Sequence, residues 1–358
     1  RDNDIWMYSP LGIWVYNPEQ EKWLSWLTNI IKRRSHNMVR AVSQDKQGRI
    51  WIGTDQDGID ILDKKTGEVR QLRNKTGDER SLQNNTVMVL YEDSSETMWV
   101  GTYKKGISYF NECAFKFGAE YIGDISCIEE DKEGYVWLGT NDVGIIYWNS
   151  VTGNRAAFPQ KGMDKLTTDA IVCILKAGDG KLWIGTFGGG LICYDNGRII
   201  HYKKNIPERQ NSLAHNNVLA LAEDKQGIIW IGTLGGGVQS LNPKTGLFTT
   251  YNTTSAGLIS DYVSSLCMGK EGSLWIGTAQ GLSELDIETK KVVNLEGTKS
   301  GKEYFSDQNI SQVYEDSRGL IWIGTCEGLN VYNPKTDELI ILGVEQGVSS
   351  PIISGIVE

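Results

Sequence analysis

The sequence predicts an all-β fold, a single β-propeller of four-stranded blades, and three observations carry that prediction. A Trp-hydrophobic-Gly-Thr tetrapeptide begins at Trp51, Trp99, Trp137, Trp183, Trp230, Trp275 and Trp322, about 45 residues apart, which is the period of propeller blades. Each period divides into four short strand-like runs separated by turns rich in Gly, Asp and Asn. No 3.6-residue helical period competes over a comparable length.

The elements follow one another in a fixed order. The first strand is typified by Val218–Asp224 and matched by Val87–Asp93, Ile125–Asp131 and Ile310–Asp316. An Asp-x-x-Gly turn follows, as at Asp224–Gly227 and Asp316–Gly319, where Gly can take a positive φ. The second strand carries the tetrapeptide. Alternation puts its Trp and Gly on one face and its Ile and Thr on the other. The Gly leaves room where a neighbouring sheet approaches closely. A Gly-rich turn such as Gly188–Gly190 or Gly235–Gly237 leads to the third strand, as in Leu191–Tyr194 and Val238–Leu241. Asn242-Pro-Lys-Thr-Gly246, echoed at Asn333–Thr336 and Asp63–Gly67, returns the chain into an aromatic and polar fourth strand such as Leu247–Tyr251. Trp6 opens an eighth, degenerate copy in phase with the others. Ile5–Pro18 supplies later strands without a first, and Ile353–Glu358 reads as a first strand without successors. Joining them predicts eight blades, closed by pairing of the N- and C-terminal strands in one blade. Seven blades with a loose terminal segment is the alternative. Either way residues 1–358 form one propeller domain.

Composition narrows the function. Hydrophobic residues at 40% and charged residues at 23% exclude a disordered chain. The 41 Gly against 7 Pro fit many tight turns between ordered strands. A net charge of −9 supplies no broad basic surface for nucleic acid. No apolar run approaches a membrane span; Ala170–Leu175 is among the longest. The opening Arg1-Asp2-Asn3-Asp4 does not read as a signal peptide. Cys127 and Cys173 occupy a first-strand position held elsewhere by Ala41, Val89, Ala220 and Ser265, which selects small, buried side chains. Cys113, Cys193, Cys267 and Cys326 have no CxxC partner, and the only histidines are His36, His201 and His215. Six free thiols, no metal site and no cofactor are expected.

Candidate binding residues come from the contrast between two sets of turns. The Asp-x-x-Gly and Asn-Pro-x-Thr-Gly turns are short and stereotyped. The opposite end gathers long irregular connections, Arg73–Thr86, Lys203–Asn217, Asn252–Tyr262 and Gly297–Asn309, together with the turns after the tetrapeptide. Variable loops on a rigid scaffold are where recognition sits. The residue after the motif Thr differs in every blade: Asp55, Tyr103, Asn141, Phe187, Leu234, Ala279 and Cys326. Tyr103 and Phe187 offer planes for sugar rings, and Asp55, Asp57, Lys104, Lys105, Asn141 and Glu327 offer polar partners. Arg80, Arg209 and His215 on the long loops suit a carboxylate or sulfate. Each also reads as a solvated turn residue. The pairs Glu92-Asp93, Glu130-Asp131, Glu223-Asp224 and Glu315-Asp316 recur at one repeat position, so they read as structural turn caps. A catalytic pair would break the symmetry, and no catalytic residue is assigned.

The unit Asn217-Val-Leu-Ala-Leu-Ala-Glu-Asp-Lys-Gln-Gly-Ile-Ile-Trp-Ile-Gly-Thr-Leu-Gly-Gly-Gly237 resembles the two-component-regulator propeller repeat, and the resemblance covers essentially the whole chain. It implies a fragment of a hybrid two-component receptor of glycan-degrading gut bacteria, located in the periplasm. A second propeller, an immunoglobulin-like domain, a membrane helix, a histidine kinase and a response-regulator module would complete that receptor. The resemblance further implies an oligosaccharide ligand and a homodimer in the full receptor. Two other classes stay open. A propeller enzyme, lyase-like or quinoprotein, needs a positioned base or a cofactor stack, against which stand three scattered histidines and tryptophans spread one per blade. A protein-binding scaffold of the WD-repeat kind has the geometry but a different blade motif.

Overall fold

The computed structural model describes residues 4–9, 12–17, 20, 22–24, 38–78, 81–111, 116–120, 123–131, 133–149, 155–158, 166, 168, 170–204, 211–342, 353 and 355–357. The described residues are all-β, with eight four-stranded sheets and no helix, the architecture of an eight-bladed β-propeller. Blade 1 orders Lys22–Trp23, Gly12–Asn17, Ile5–Ser9 and the C-terminal Gly355–Val357. The other blades are antiparallel meanders in chain order. Their first strands are Val39–Gln44, Val87–Glu92, Ile125–Glu130, Ile171–Lys176, Val218–Glu223, Val263–Met268 and Ile310–Glu315. The seven-blade alternative is excluded, because the terminal strands share a sheet. The chain falls into two compact units, residues 1–160 with 357–358, and residues 161–356.

Within each unit the tetrapeptide explains how one blade meets the next. All five residues of its strand are buried, as at Ile229–Thr233. In the first unit Trp51 packs against Val87, Leu90, Val100 and Phe110 of the following blade, and Trp99 against Ile125, Leu138 and Trp148. In the second unit Trp230 does the same with Val263, Leu274 and Ile276, and Trp275 with Ile310, Ile321 and Tyr332. The core is thus a series of slabs between sheets, not one central mass. The motif glycine permits the approach. A Cβ on Gly53 would lie 2.5 Å from Val87 Cγ1, and one on Gly232 2.7 Å from Val263 Cγ1.

The Asp of each Asp-x-x-Gly turn lies just past its strand and does two things. Asp224 Oδ1 accepts the backbone N–H groups of Gln226 and Ile228, and its Oδ2 accepts Trp230 Nε1–H at 3.0 Å. The same carboxylate–indole bond ties Asp45 to Trp51, Asp93 to Trp99, Asp131 to Trp137 and Asp316 to Trp322. The preceding Glu caps a neighbour's turn and not its own, which refines the sequence reading. It reaches the previous blade: Glu92 accepts the Lys46 N–H, Glu130 that of Ser94, Glu223 that of Gly178 and Glu315 that of Lys270. Each pair therefore caps one turn and latches it to its neighbour.

The first-strand position of Cys127 and Cys173 lies across from the motif glycine in every blade of this type. It is small because the strands close tightly there, yet only Ala41 is fully buried and the cysteines are half-buried. Gln312 takes that position in the last blade and accepts the Ile356 N–H, as Ser265 accepts the Val313 N–H one blade earlier. Ser311 Oγ donates to Ile353 O just as Ser264 Oγ donates to Ile310 O. Ile353 hence stands at the position of Ile310, and the C-terminal segment is in phase as a first strand. The five described cysteines are free thiols; burial pushes those of Cys127 and Cys193 up to about 12, where they stay protonated and inert. Cys113 lies outside the described residues.

Candidate functional site

The ends of the second strands are built alike in seven blades. The motif Thr Oγ1–H donates to the carbonyl of the glycine that opens the third strand, from Thr54 to Gly58 at 2.9 Å through Thr325 to Gly328 at 2.8 Å. The next residue's N–H bonds the connection that enters the same blade, as in Asp55 N to Met38 O, Tyr103 N to Thr86 O and Phe187 N to Ala170 O. Identical closure presents different side chains in each blade. Gln56 and Lys104 stand second after the motif Thr with φ of 74° and 52°, where blades 5 and 6 carry Gly188 and Gly235. Left-handed backbone costs an L-residue about 1–2 kcal/mol.

In the first unit these turns and the connection Arg73–Thr86 enclose a polar cleft between the second and third blades. Its volume is about 390 Å³, and it is lined by Gln56, Asn74, Gln83, Asn84, Asn85, Thr86 and Lys105. Small-molecule sites commonly span about 300–1,000 Å³. The connection is held rigidly. Asn74 N–H donates to Asn85 Oδ1 at 2.7 Å, Asn74 Nδ2 donates to Leu82 O at 2.6 Å and Gln83 O at 3.2 Å, and Asn84 Nδ2 donates to Tyr103 O at 2.8 Å. Thr86 Oγ1 donates to Asp55 Oδ1 and accepts the Gln56 N–H, which pins blade 2's turn to the strand entering blade 3.

The structure treats the sequence candidates unequally. Lys105 lines the cleft. Asp55 is engaged by Arg40, at 2.6 Å, and Asp57 by Arg73, at 2.7 Å. Arg40 is the residue the first-strand bulge between Val39 and Ala41 leaves unpaired in the ladder. Tyr103 is exposed, with Lys104 Nζ 4.9 Å from its ring centre. Asn141 is exposed and its N–H bonds Asp124 O. In the second unit Phe187 is exposed, and His215 Nδ1 accepts the Asn217 N–H. Glu327 N–H bonds Thr325 Oγ1. Arg80 and Arg209 lie outside the described residues. Sequence reasoning missed Gln56, Asn74, Gln83, Asn84, Asn85 and Thr86. The run Gln83-Asn84-Asn85-Thr86 was their signal: consecutive amides directly ahead of a strand, where the equivalent stretch in blade 6 begins with Ala214.

Seven segments match the repeat described as two component regulator propeller: residues 34–56, 81–104, 122–142, 165–188, 212–235, 257–280 and 304–327. No curated protein matches the chain. Among solved structures, the extracellular domain of a protein described as a hybrid two component system from B. thetaiotaomicron aligns with a TM-score of 0.54 and 24% identity. That alignment covers 98% of this chain and 45% of the other. A second extracellular domain from the same bacterium, described as that of a one component system, gives 0.52 and 20%, covering 95% and 47%. Saccharomyces cerevisiae Sqt1 gives 0.61 and 11%, covering 85% of each chain. The present chain spans about half the length of the two bacterial structures, and at these identities the likeness establishes the fold.

Proposed function

The chain belongs to the two-component regulator propeller family, whose repeat falls on blades 2 to 8, and from that premise we propose that it is the extracytoplasmic ligand-binding part of a two-component signalling receptor that responds to oligosaccharides. The observation that carries this reading is the contrast between a repeating scaffold and the side chains it presents. The hydrogen bonds of the scaffold repeat from blade to blade, from Asp–Trp to Thr–Gly, whereas the side chains after the motif Thr do not repeat. A scaffold that repeats its structure while varying its exposed chemistry is suited to binding. No helix among the described residues is long and apolar enough to cross a membrane. The chain binds and does not turn over its ligand: the recurring Glu-Asp pairs, its most regular carboxylates, are committed to turns, indoles and neighbouring blades.

Calorimetry against a panel of neutral and acidic oligosaccharides, with chromatography of the same mixtures, tests the proposal. Saturable heat with unchanged sugars is the expected result. New reducing ends or unsaturated products would assign an enzyme instead, and silence across the panel would remove the sensor reading.

A further inference from the structure

We infer that the cleft between the second and third blades binds a saccharide unit bearing one carboxylate or sulfate group, with Lys105 meeting the anion and the amides of Gln56 and Gln83 reading its hydroxyls; this deepens the receptor reading above and rests on it. Some groups of the cleft are already committed to protein partners and others are not. Asn84 has one Nδ2–H on Tyr103 O and its Oδ1 on the Thr86 N–H, and keeps its second amide N–H. Asn74 has given its Nδ2 to two carbonyls and keeps an acceptor oxygen. Asn85 has given its Oδ1 to the Asn74 N–H and keeps its amide donors. The side chains of Gln56, Gln83 and Lys105 have no partner among the described residues.

What remains for a ligand is two complete amides, one amide carbonyl, the amide N–H donors of Asn84 and Asn85 and one ammonium. Each primary amide presents a donor and an acceptor in one plane, which matches neighbouring hydroxyls that both donate and accept. Among the described residues Lys105 is the one cation of the lining and no carboxylate neutralises it, since Asp55 and Asp57 are held by Arg40 and Arg73. One cation suits one anionic group and does not suit a polyphosphate. Among the described residues no aromatic or aliphatic side chain lines the cleft, so a base or an apolar ligand finds no face to stack on there. No carboxylate lines it among the described residues either, which disfavours a cation. Gln56 supports the same assignment from the backbone: it holds a left-handed φ of 74° where Gly188 and Gly235 serve in other blades, so its side chain is kept at a conformational cost.

The test measures binding by calorimetry to oligogalacturonides, to the same oligomers with their carboxyls reduced to alcohols, and to sulfated and desulfated oligosaccharides of one backbone. Two substitutions, Lys105→Met and Gln83→Ala, each remove a group without a protein partner, and melting temperatures confirm that both variants fold. Lys105→Met should weaken binding of an acidic oligosaccharide about tenfold and abolish its salt dependence, and Gln83→Ala should weaken it about fivefold. The carboxylated and sulfated arms distinguish the two anions. Wild-type binding untouched by either variant overturns the cleft but leaves the receptor reading standing. Equal affinity for charged and neutralised oligomers overturns the charge assignment. No binding of any probe by the wild type overturns the saccharide reading itself.

Discussion

The indole of each motif tryptophan shows how one residue serves two ends, filling the slab between blades and completing a hydrogen bond to the turn. Trp230 is fully buried and bonded to Asp224. Trp230→Ala should cost about 3–5 kcal/mol in chemical denaturation, from lost burial and the cavity left behind. A loss below about 1 kcal/mol would contradict the packing role. Blade 5 breaks the pattern: Ala177 stands where other blades have the Asp, and Trp183 Nε1 is buried without an acceptor. Ala177→Asp should restore the bond and raise stability by about 1 kcal/mol. Blade 7 solves the same absence differently, with Gly269 at that position and Glu315 of the next blade accepting from Trp275. A Cβ at Gly269 would stand 3.0 Å from Glu315 Oε2, so Gly269→Asp should not stabilise. At Gln56, substitution by Gly should relieve strain and raise stability by about 0.5–1 kcal/mol, after allowing for glycine's greater unfolded entropy. Binding of an acidic oligosaccharide should weaken in the same variant, so that stability and affinity move in opposite directions.

Turns between third and fourth strands show why an element keeps its geometry while its letters change. Asp63 Oδ1 accepts the N–H groups of Lys65 and Thr66, Asp286 Oδ1 those of Glu288 and Thr289, and Asn242 Oδ1 those of Lys244 and Thr245. The left-handed residue after them is Gly67 or Gly246, but also Lys290 or Asp337. Backbone N–H donors, first Lys65 for Asp63 and first Thr289 for Asp286, hold both carboxyls below the usual carboxylate range. A folded pKa below the unfolded value of about 3.9 means that the unfolded chain binds more protons between the two values. The stability these turns add is present above about pH 4 and is lost as the pH falls through the lowered native values. Asp286→Asn keeps an acceptor but removes the titration, so its melting temperature should fall less between pH 5 and pH 3 than that of the parent. A parallel fall would rule out this linkage. The Glu latches belong to this scale too. Glu223→Ala frees the Gly178 N–H, and exchange of that amide should accelerate while blade 6 itself stays protected.

For the molecule as a whole, the terminal strand decides the blade number. Ile353 is fully buried and Ile356 nearly so, and they repeat the contacts that Ile310 and Val313 make one blade earlier. Deleting Ile353–Glu358 removes two buried side chains, uncovers Gly324 and exposes the edge of Ile5–Ser9 to pairing with other chains. Two lost isoleucines at about 2–5 kcal/mol each predict a melting temperature lower by several degrees and a greater tendency to aggregate. Unchanged melting and a monodisperse truncated protein would argue that the strand adds nothing to closure.

The sequence by itself determined the architecture, because the blade is specified locally and seven times over. Trp, Gly and Thr at fixed offsets set the face, the close approach and the turn, and in five of the seven copies Asp six residues before the Trp sets the cap. Even the shared blade was legible, since Ile353 lies in phase and each terminus lacks what the other holds. Only the tertiary structure could decide what depends on neighbours far apart in the chain. It showed that Glu92 and its counterparts serve the previous blade, 36 to 46 residues away, and not their own turn. It also separated Asp55 and Asp57, neutralised by Arg40 and Arg73, from Lys105, which faces a cleft built of amides. A residue type announces what a side chain can do, but whether that capacity is free depends on which partners folding brings within about 3 Å, the reach of a hydrogen bond.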